Sequence, residues 1–334
     1  MSSRTLILKA AKQRNVALYM LQKFQYLSNQ IPKPIKKIIP KLLKSQIKSI
    51  IKKQTFSKVL NEIDVDIVFS CKKKISKAFG IVHWNAVDFL LLNIEQLEKL
   101  HPESKIYIFD NRSAESQLRL LNNKLKEYEN ITLISNKNDY SNSLINHTIG
   151  LQYLINHSAN QNDDVIVFLD QDCIVNIKLD SLISKLNANN LLIGARDVVE
   201  IPKDYGLIKK RMLRNYPGKV HASFMIMQPA KICEMLGKRS LFDRKTFEPY
   251  HGISKKLNNK IIFLDTKVHD EIPLLTSYSY ENKIYAWHSW YSSRTTRMNE
   301  NYILDGISVR ELKKIRRQSY EFMAQIVGKK LLNT

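Results

Sequence analysis

Val165-Ile-Val-Phe-Leu-Asp170 is a run of five apolar residues closed by an acid. Such a run is short for a helix and reads as a strand, and a strand apolar at every position must bury both of its faces. That happens at the centre of a parallel sheet with helices above and below it. The chain around it alternates accordingly. Val65–Ser70, Ala78–Trp84, Lys105–Phe109, Ile131–Ser135 and Asn190–Gly194 read as strands. Ala86–Leu100, where Phe89, Leu90, Ile94 and Leu97 recur at helical spacing, reads as a helix, as do Ala114–Tyr128, Ser143–Asn156 and Leu179–Leu186. Strands separated by helices of ten to fifteen residues build βαβ units, so the expected fold class is α/β, a doubly wound, Rossmann-like sheet. Ligands of such sheets bind outside the carboxyl ends of the strands. The polar residues that directly follow strands are therefore the ones to inspect.

The net charge of +22 over 334 residues is unevenly placed. Residues 1–60 hold 14 Lys or Arg and no acid, the first acid being Glu62. This predicts a basic, helical N-terminal arm over 1–61, a main domain over 62–310 and a helical tail over 311–334. Two amphipathic stretches in the arm, Leu6 to Leu27 and Ile38 to Ile51, are separated by Pro32 and Pro34, with Pro40 early in the second. A basic amphipathic helix can lie on an anionic membrane surface, pack its apolar stripe on the domain, or contact nucleic acid through phosphates. Nucleic acid is the least favoured of the three. Cys71, Cys173 and Cys233 are few, odd in number and without metal-site spacing, which fits a reducing compartment. With no membrane-length apolar run and no signal-peptide core, the chain reads as cytoplasmic, peripheral on the inner membrane face if the arm binds lipid.

Three strand ends carry chemistry. Asp170 and Asp172 flank Gln171 after the central strand, and alternation points both acids one way. Two carboxylates this close repel unless a cation joins them, and oxygen ligands suit Mg²⁺ or Mn²⁺. A solvated turn explains the same residues without a metal. Lys105–Phe109 ends in Asp110 and Asn111, with Ser113 placed to cap the next helix. An acid there can accept from a nucleobase or ribose, or simply form the turn. Ala78–Trp84 leads into His83, Trp84 and Asn85, which either line a ligand or belong to the core.

In order, these segments read IVHWN, IYIFDNRS and VIVFLDQDC, with roughly 25 and 60 residues between them. The series resembles the GT-A glycosyltransferases of the family-2-like kind over residues 62–240. Asn136–Gly150 is similar to the Asn- and Gly-rich segment that opens the helix before the DxD strand, though poorer in Gly. The resemblance implies a GT-A-like domain with a nucleotide-sugar donor. Asp110 would contact the nucleobase. His83, Trp84, Asn85, Asn111 and Gln171 would contribute to the donor pocket, and Asp170 and Asp172 would meet ribose and metal. Val220–Met227 would lie near the acceptor. His288, in Tyr285-Ala-Trp-His288-Ser-Trp290, resembles the late His that completes the metal shell, with Arg294, or less well Arg297, paired with the diphosphate. For the general base the segment before Gly252 offers Glu248 and His251, and Asp270 competes with them, as do Asp265, His269 and Glu271. The reaction implied is metal-assisted transfer of a hexose-type sugar from a UDP-, GDP- or dTDP-sugar to a glycan or lipid-linked acceptor, with inversion. The rival readings are a sugar-phosphate nucleotidyltransferase, for which no Gly-rich phosphate loop is present, and an inactive binding protein of the same fold.

Overall fold

The computed structural model describes residues 63–71, 75–137, 143–200, 219–237, 249–290, 303–304 and 307–328. The basic arm, Glu248, Arg294 and Arg297 lie outside them. Eleven strands of the described residues form one sheet. Its parallel centre holds β2 (Lys77–His83), β3 (Lys105–Asp110), β4 (Ile131–Asn136) and β5 (Val165–Asp170), with β2 between β3 and β5. β1 (Val65–Phe69) closes the β4 edge antiparallel. Beyond β5 follow β8 (Val220–Met227), β7 (Leu192–Glu200), β9 (Ile261–Val268), β10 (Leu275–Tyr280), β11 (Lys283–Ser289) and β6 (Cys173–Val175).

Alternation along the central strands sorts the core into two layers. Phe79, Ile81, Ile106, Ile108, Val167 and Leu169 join one apolar cluster with Leu90, Ile94 and Leu97 of helix α1 (Val87–Leu100) and with Leu121 and Leu125 of α2 (Glu115–Leu125). The intervening residues face α3 (Ser143–Asn160): the rings of Phe109 and Tyr153 lie 5.4 Å apart, and those of Tyr107 and His157 4.9 Å. Gly150 allows this close approach, because a Cβ there would stand 2.8 Å from Phe109 Cδ1 and 3.0 Å from Val82 Cγ2. The arrangement is the two-layered cover that a central all-apolar strand demands. Each fully buried Leu, Ile or Phe contributes about 1.5–3 kcal/mol of transfer free energy.

β5 and β6 are separated in the chain only by Gln171 and Asp172, yet they stand fifth and eleventh in the sheet. Three peptide units span at most about 11 Å. The far half of the sheet therefore curls back until its last strand lies beside the end of β5. β6 pairs antiparallel with β11, with His288 opposite Cys173.

The C-terminal helix α7 (Val309–Val327) is packed against this curl. Ser308 caps it by accepting from the Glu311 N–H at 3.1 Å, and Gly328, at φ 85°, ends it in the left-handed region. Met323, Ala324 and Val327 join Phe89, Leu92, Ile174 and Leu275 in a second apolar cluster. Arg316 grips both oxygens of Asp88 at the start of α1. No described helix is long and apolar enough to cross a membrane.

Two elements differ from their sequence reading. The helix expected over Leu179–Leu186 is a single turn, α4 (Asp180–Ile183), which continues in tight three-residue turns, Lys185 N–H to Leu182 and Leu186 N–H to Ile183. β7 runs on to Glu200 because it pairs in parallel with β9 out to Lys267, a partner far along the chain.

His101, at the end of α1, accepts from the Leu179 N–H through Nε2. Burial, then the Lys77 ammonium, lower its pKa from 6.5 to about 4. The unfolded chain takes up this proton below about pH 6.5 and the folded chain only below about 4. Between these values the unfolded state binds more protons, so the stability contributed by neutral His101 is complete above pH 6.5 and lost as pH falls to 4. The loss amounts to about 3 kcal/mol at most. In urea unfolding at pH 7 and pH 4.5, wild type should lose more stability than His101→Gln. Equal losses would remove His101 as the cause.

Candidate metal centre

Parallel pairing brings three strand ends to one edge. His83 stands opposite Asp110, and Val82 opposite Asp170. The chain winds from β2 outward to β3 and β4, then returns to β5 on the other side of β2, so the topological switch point lies between the His83 and Asp170 ends.

At the Asp170 end, one ligand atom each of Asp170, Asp172 and His288 lie within 4.8 Å of one another. His288 Nε2 is 3.5 Å from Asp170 Oδ2 and 3.5 Å from Asp172 Oδ1. Asp172 and His288 are buried, and Asp170 keeps 21% of its side-chain surface exposed. The position of His288 follows from the curl of the sheet: β11 lies beside β6, and the Ser289 N–H donates to the Asp172 carbonyl at 3.0 Å. Two carboxylates and one imidazole converging at this separation could hold a divalent cation, which would cancel the repulsion of the acids, and the two carboxylates suit Mn²⁺ or Mg²⁺. Cys173 is adjacent and fully buried, and burial, then Asp170 and Asp172, push its thiol well up.

Further groups complete the surroundings. His147 of α3 places Nε2 3.5 Å from Asp170 Oδ1, so Asp170 lies between two imidazoles. Behind His288, Nδ1 is 2.8 Å from the Tyr278 hydroxyl, which is 2.5 Å from Ser223 Oγ, itself 2.6 Å from His221 Nδ1. Burial pushes the Tyr278 phenol up and holds His221 well below the ordinary histidine range, so both are neutral. The sequence reading singled out none of these four. His147 lies within Asn136–Gly150, and His221 and Ser223 lie within Val220–Met227, the segment expected near the acceptor, while Tyr278 falls in a stretch to which the sequence assigns no role.

Gln171 clamps the two loops together. Its Oε1 accepts from the Trp84 N–H at 2.8 Å, and its Nε2 donates to the Trp84 carbonyl at 3.2 Å. At the neighbouring strand end, fully buried Asp110 accepts from His83 Nδ1 at 2.9 Å, from Ser113 Oγ at 2.6 Å and from the Ser113 N–H at 3.1 Å. The Asn85 N–H donates to Ser113 Oγ, and Asn85 Oδ1 accepts from the Ala114 N–H. Asn85 and Arg112 have φ of 55° and 60°, left-handed conformations that cost about 1–2 kcal/mol each and that this lattice holds in place. Asn111 donates its N–H to the His83 carbonyl and accepts from Asn136 Nδ2 at 3.2 Å. Asp110 thus organises the two loops from beneath, with both oxygens engaged by the protein.

Among the described residues, the base candidates are not gathered here in the same way. His251 lies on α6 (Pro249–Leu257), its side chain outside the described residues. Asp270 is exposed on the β9–β10 turn, 3.8 Å from Lys267 Nζ. His269 Nδ1 accepts from the N–H groups of Glu271 and Ile272, and its ring stands against Trp287 and Phe322. Asp265 and Glu271 are exposed.

No protein-family model and no curated protein sequence matches the chain. Solved glycosyltransferase structures resemble it in part. The galactosyltransferase LgtC, solved with donor and acceptor sugar analogues, is 14% identical over 56% of this chain and 72% of its own, with a TM-score of 0.39. The mannosyltransferase PcManGT of Pyrobaculum calidifontis, solved with GDP-Man and Mn²⁺, is 10% identical over 85% of this chain and 82% of its own, at 0.41. The glycosyltransferase GlyE of Streptococcus pneumoniae TIGR4 is 15% identical over 57% and 45%, at 0.37.

Proposed function

We propose that this chain is a metal-assisted glycosyltransferase of GT-A type, moving a sugar from a nucleotide-diphosphate donor to a glycan or lipid-linked acceptor. The observation that carries the reading is the convergence of Asp170, Asp172 and His288 within 4.8 Å at the switch point of the parallel sheet. When bound there, Mn²⁺ or Mg²⁺ supplies Lewis-acid neutralisation of the departing diphosphate. The chain's own residues do the rest. Asp172 and His288, held by β6 and β11, fix one side of the site, and Asp170 holds the other. The loops of His83, Trp84, Asn85 and Asn111, braced by Asp110 and Gln171, border the nucleoside. Arg294 pairs with the diphosphate in this reading. An acceptor hydroxyl, deprotonated by Glu248, His251 or Asp270, attacks the anomeric carbon from the face opposite the diphosphate as the bond to that leaving group breaks, giving inversion. The basic arm of residues 1–61 keeps acceptors of a membrane surface within reach.

The test is a thermal-shift series of the full chain with UDP, GDP and dTDP, each with and without Mn²⁺. A ligand that binds only the native state raises its melting temperature. One diphosphate should raise it, and only with metal. A flat response to all three with Mn²⁺ present would sink the reading. Metal-dependent hydrolysis of the matching nucleotide sugar then separates an enzyme from a binding protein of the same fold.

A further inference from the structure

The donors and acceptors behind His288 run in one direction, and a backbone amide sets that direction. His221 Nδ1 accepts the Ser223 N–H at 3.2 Å. A peptide N–H can only donate, so this Nδ1 bears a lone pair and no proton. Ser223 Oγ, 2.6 Å from the same nitrogen, must then turn its own hydrogen toward His221. Its remaining lone pairs face the Tyr278 oxygen at 2.5 Å, so Tyr278 donates to Ser223. With its hydrogen committed, the Tyr278 oxygen meets His288 Nδ1 at 2.8 Å as an acceptor. His288 therefore carries a proton on Nδ1, and its Nε2 points between Asp170 and Asp172. Tyr278 and Ser223 are buried and lie on β10 and β8.

We propose that Tyr278, with Ser223 and His221 behind it, is a positioning relay that fixes the tautomer and ring orientation of His288 so that Nε2 presents its lone pair to a divalent cation. The inference rests on the metal reading of Asp170, Asp172 and His288. Tyr278 touches neither cation nor donor and acts only through His288. Hydrogen-bond partners of this kind, standing behind a ligating histidine, change metal affinity by about 10–100-fold.

Tyr278→Phe removes one oxygen and keeps the ring. The measurement is Mn²⁺ affinity of the full chain, read from the electron paramagnetic resonance signal of free Mn²⁺, with no donor and no turnover. In the wild-type background Tyr278→Phe should weaken Mn²⁺ binding about tenfold or more. In a His288→Ala background, where the two carboxylates retain weak binding, the same change should alter the Kd less than about twofold, because the relay has lost its object. Ser223→Ala leaves the tyrosine in place and should weaken binding in the same direction by a smaller factor. It also stands in if Tyr278→Phe does not fold. Unchanged affinity in both variants overturns the relay and leaves the metal site standing. An equal loss with and without His288 also overturns it, since Tyr278 would then act through general packing. Absence of Mn²⁺ binding by wild type fells the metal reading and the relay together.

Discussion

Asp172→Asn should abolish the metal-dependent thermal shift and slow sugar transfer by about 10²–10³-fold, while the metal-free protein stays as stable as wild type or becomes more so. The rate estimate is that for removing one group aimed at developing charge. The stability sign comes from the site itself. Asp170 and Asp172 are like charges sharing one small volume, and Asp172 is buried, so without a cation the two carboxylates repel each other at short range. An amide ends that repulsion. The substitution leaves the Asp172 carbonyl untouched, so its bond from the Ser289 N–H, which ties the turn to β11, survives. With Mn²⁺ at a hundred times its Kd, wild type gains about 2.7 kcal/mol, a rise of about 5 °C for a domain of this size. The variant should show almost none of it. Paired melting curves with and without Mn²⁺ decide the matter. A variant that melts lower without metal, yet still responds fully to it, would mean that Asp172 is a structural acid and that the cation, if any, sits elsewhere.

The central sheet was legible in the sequence because its information is local. Val165–Leu169 is apolar at every position, and Lys105–Asp110 and Lys77–His83 are nearly so, which placed His83, Asp110 and Asp170 at neighbouring strand ends. The far half of the sheet was not legible. His288 and Asp172 are more than a hundred residues apart, and what joins them is the antiparallel register of β6 on β11. Register between distant strands is set by mutual packing that neither segment encodes alone. A family resemblance pointed to His288, whereas nothing in its own neighbourhood distinguished it from a core histidine among aromatics. Tyr278 was invisible for the same reason, since its role depends on a partner on the next strand. Asp110 shows a different limit. Its place at a strand end was read correctly, but not that His83 and Ser113 would consume both its oxygens, because a loop's internal hydrogen bonds depend on left-handed turns at Asn85 and Arg112 that residue type does not dictate.

The largest loss of stability from a single change outside the site is expected at Asp163. Its Oδ1 accepts from Lys105 Nζ at 2.5 Å, and its Oδ2 accepts from the Tyr107 hydroxyl at 2.8 Å and from Ser158 Oγ at 2.7 Å. Lys105 and Asp163 are 7% and 2% exposed, so neither can turn to water without opening the fold. Burial, then Asp163, push the Tyr107 phenol up, which keeps it a donor. Asp163→Ala strands a buried ammonium and two buried hydroxyls at once. Breaking a buried ion pair by removing one partner costs about 3–5 kcal/mol, a large share of the 5–15 kcal/mol that holds a typical domain together. Urea unfolding should show that drop. Lys105→Met added to Asp163→Ala should recover part of it, because most of the cost is the unpaired charge rather than the lost bond. The network ties the start of β3 to the turn before β5, at the opposite end of these strands from Asp110 and Asp170, so Mn²⁺ affinity of the folded variant should match wild type. A cost below about 1 kcal/mol would place Asp163 among ordinary surface pairs, and the description of Lys105 as sealed within the fold would have to be abandoned.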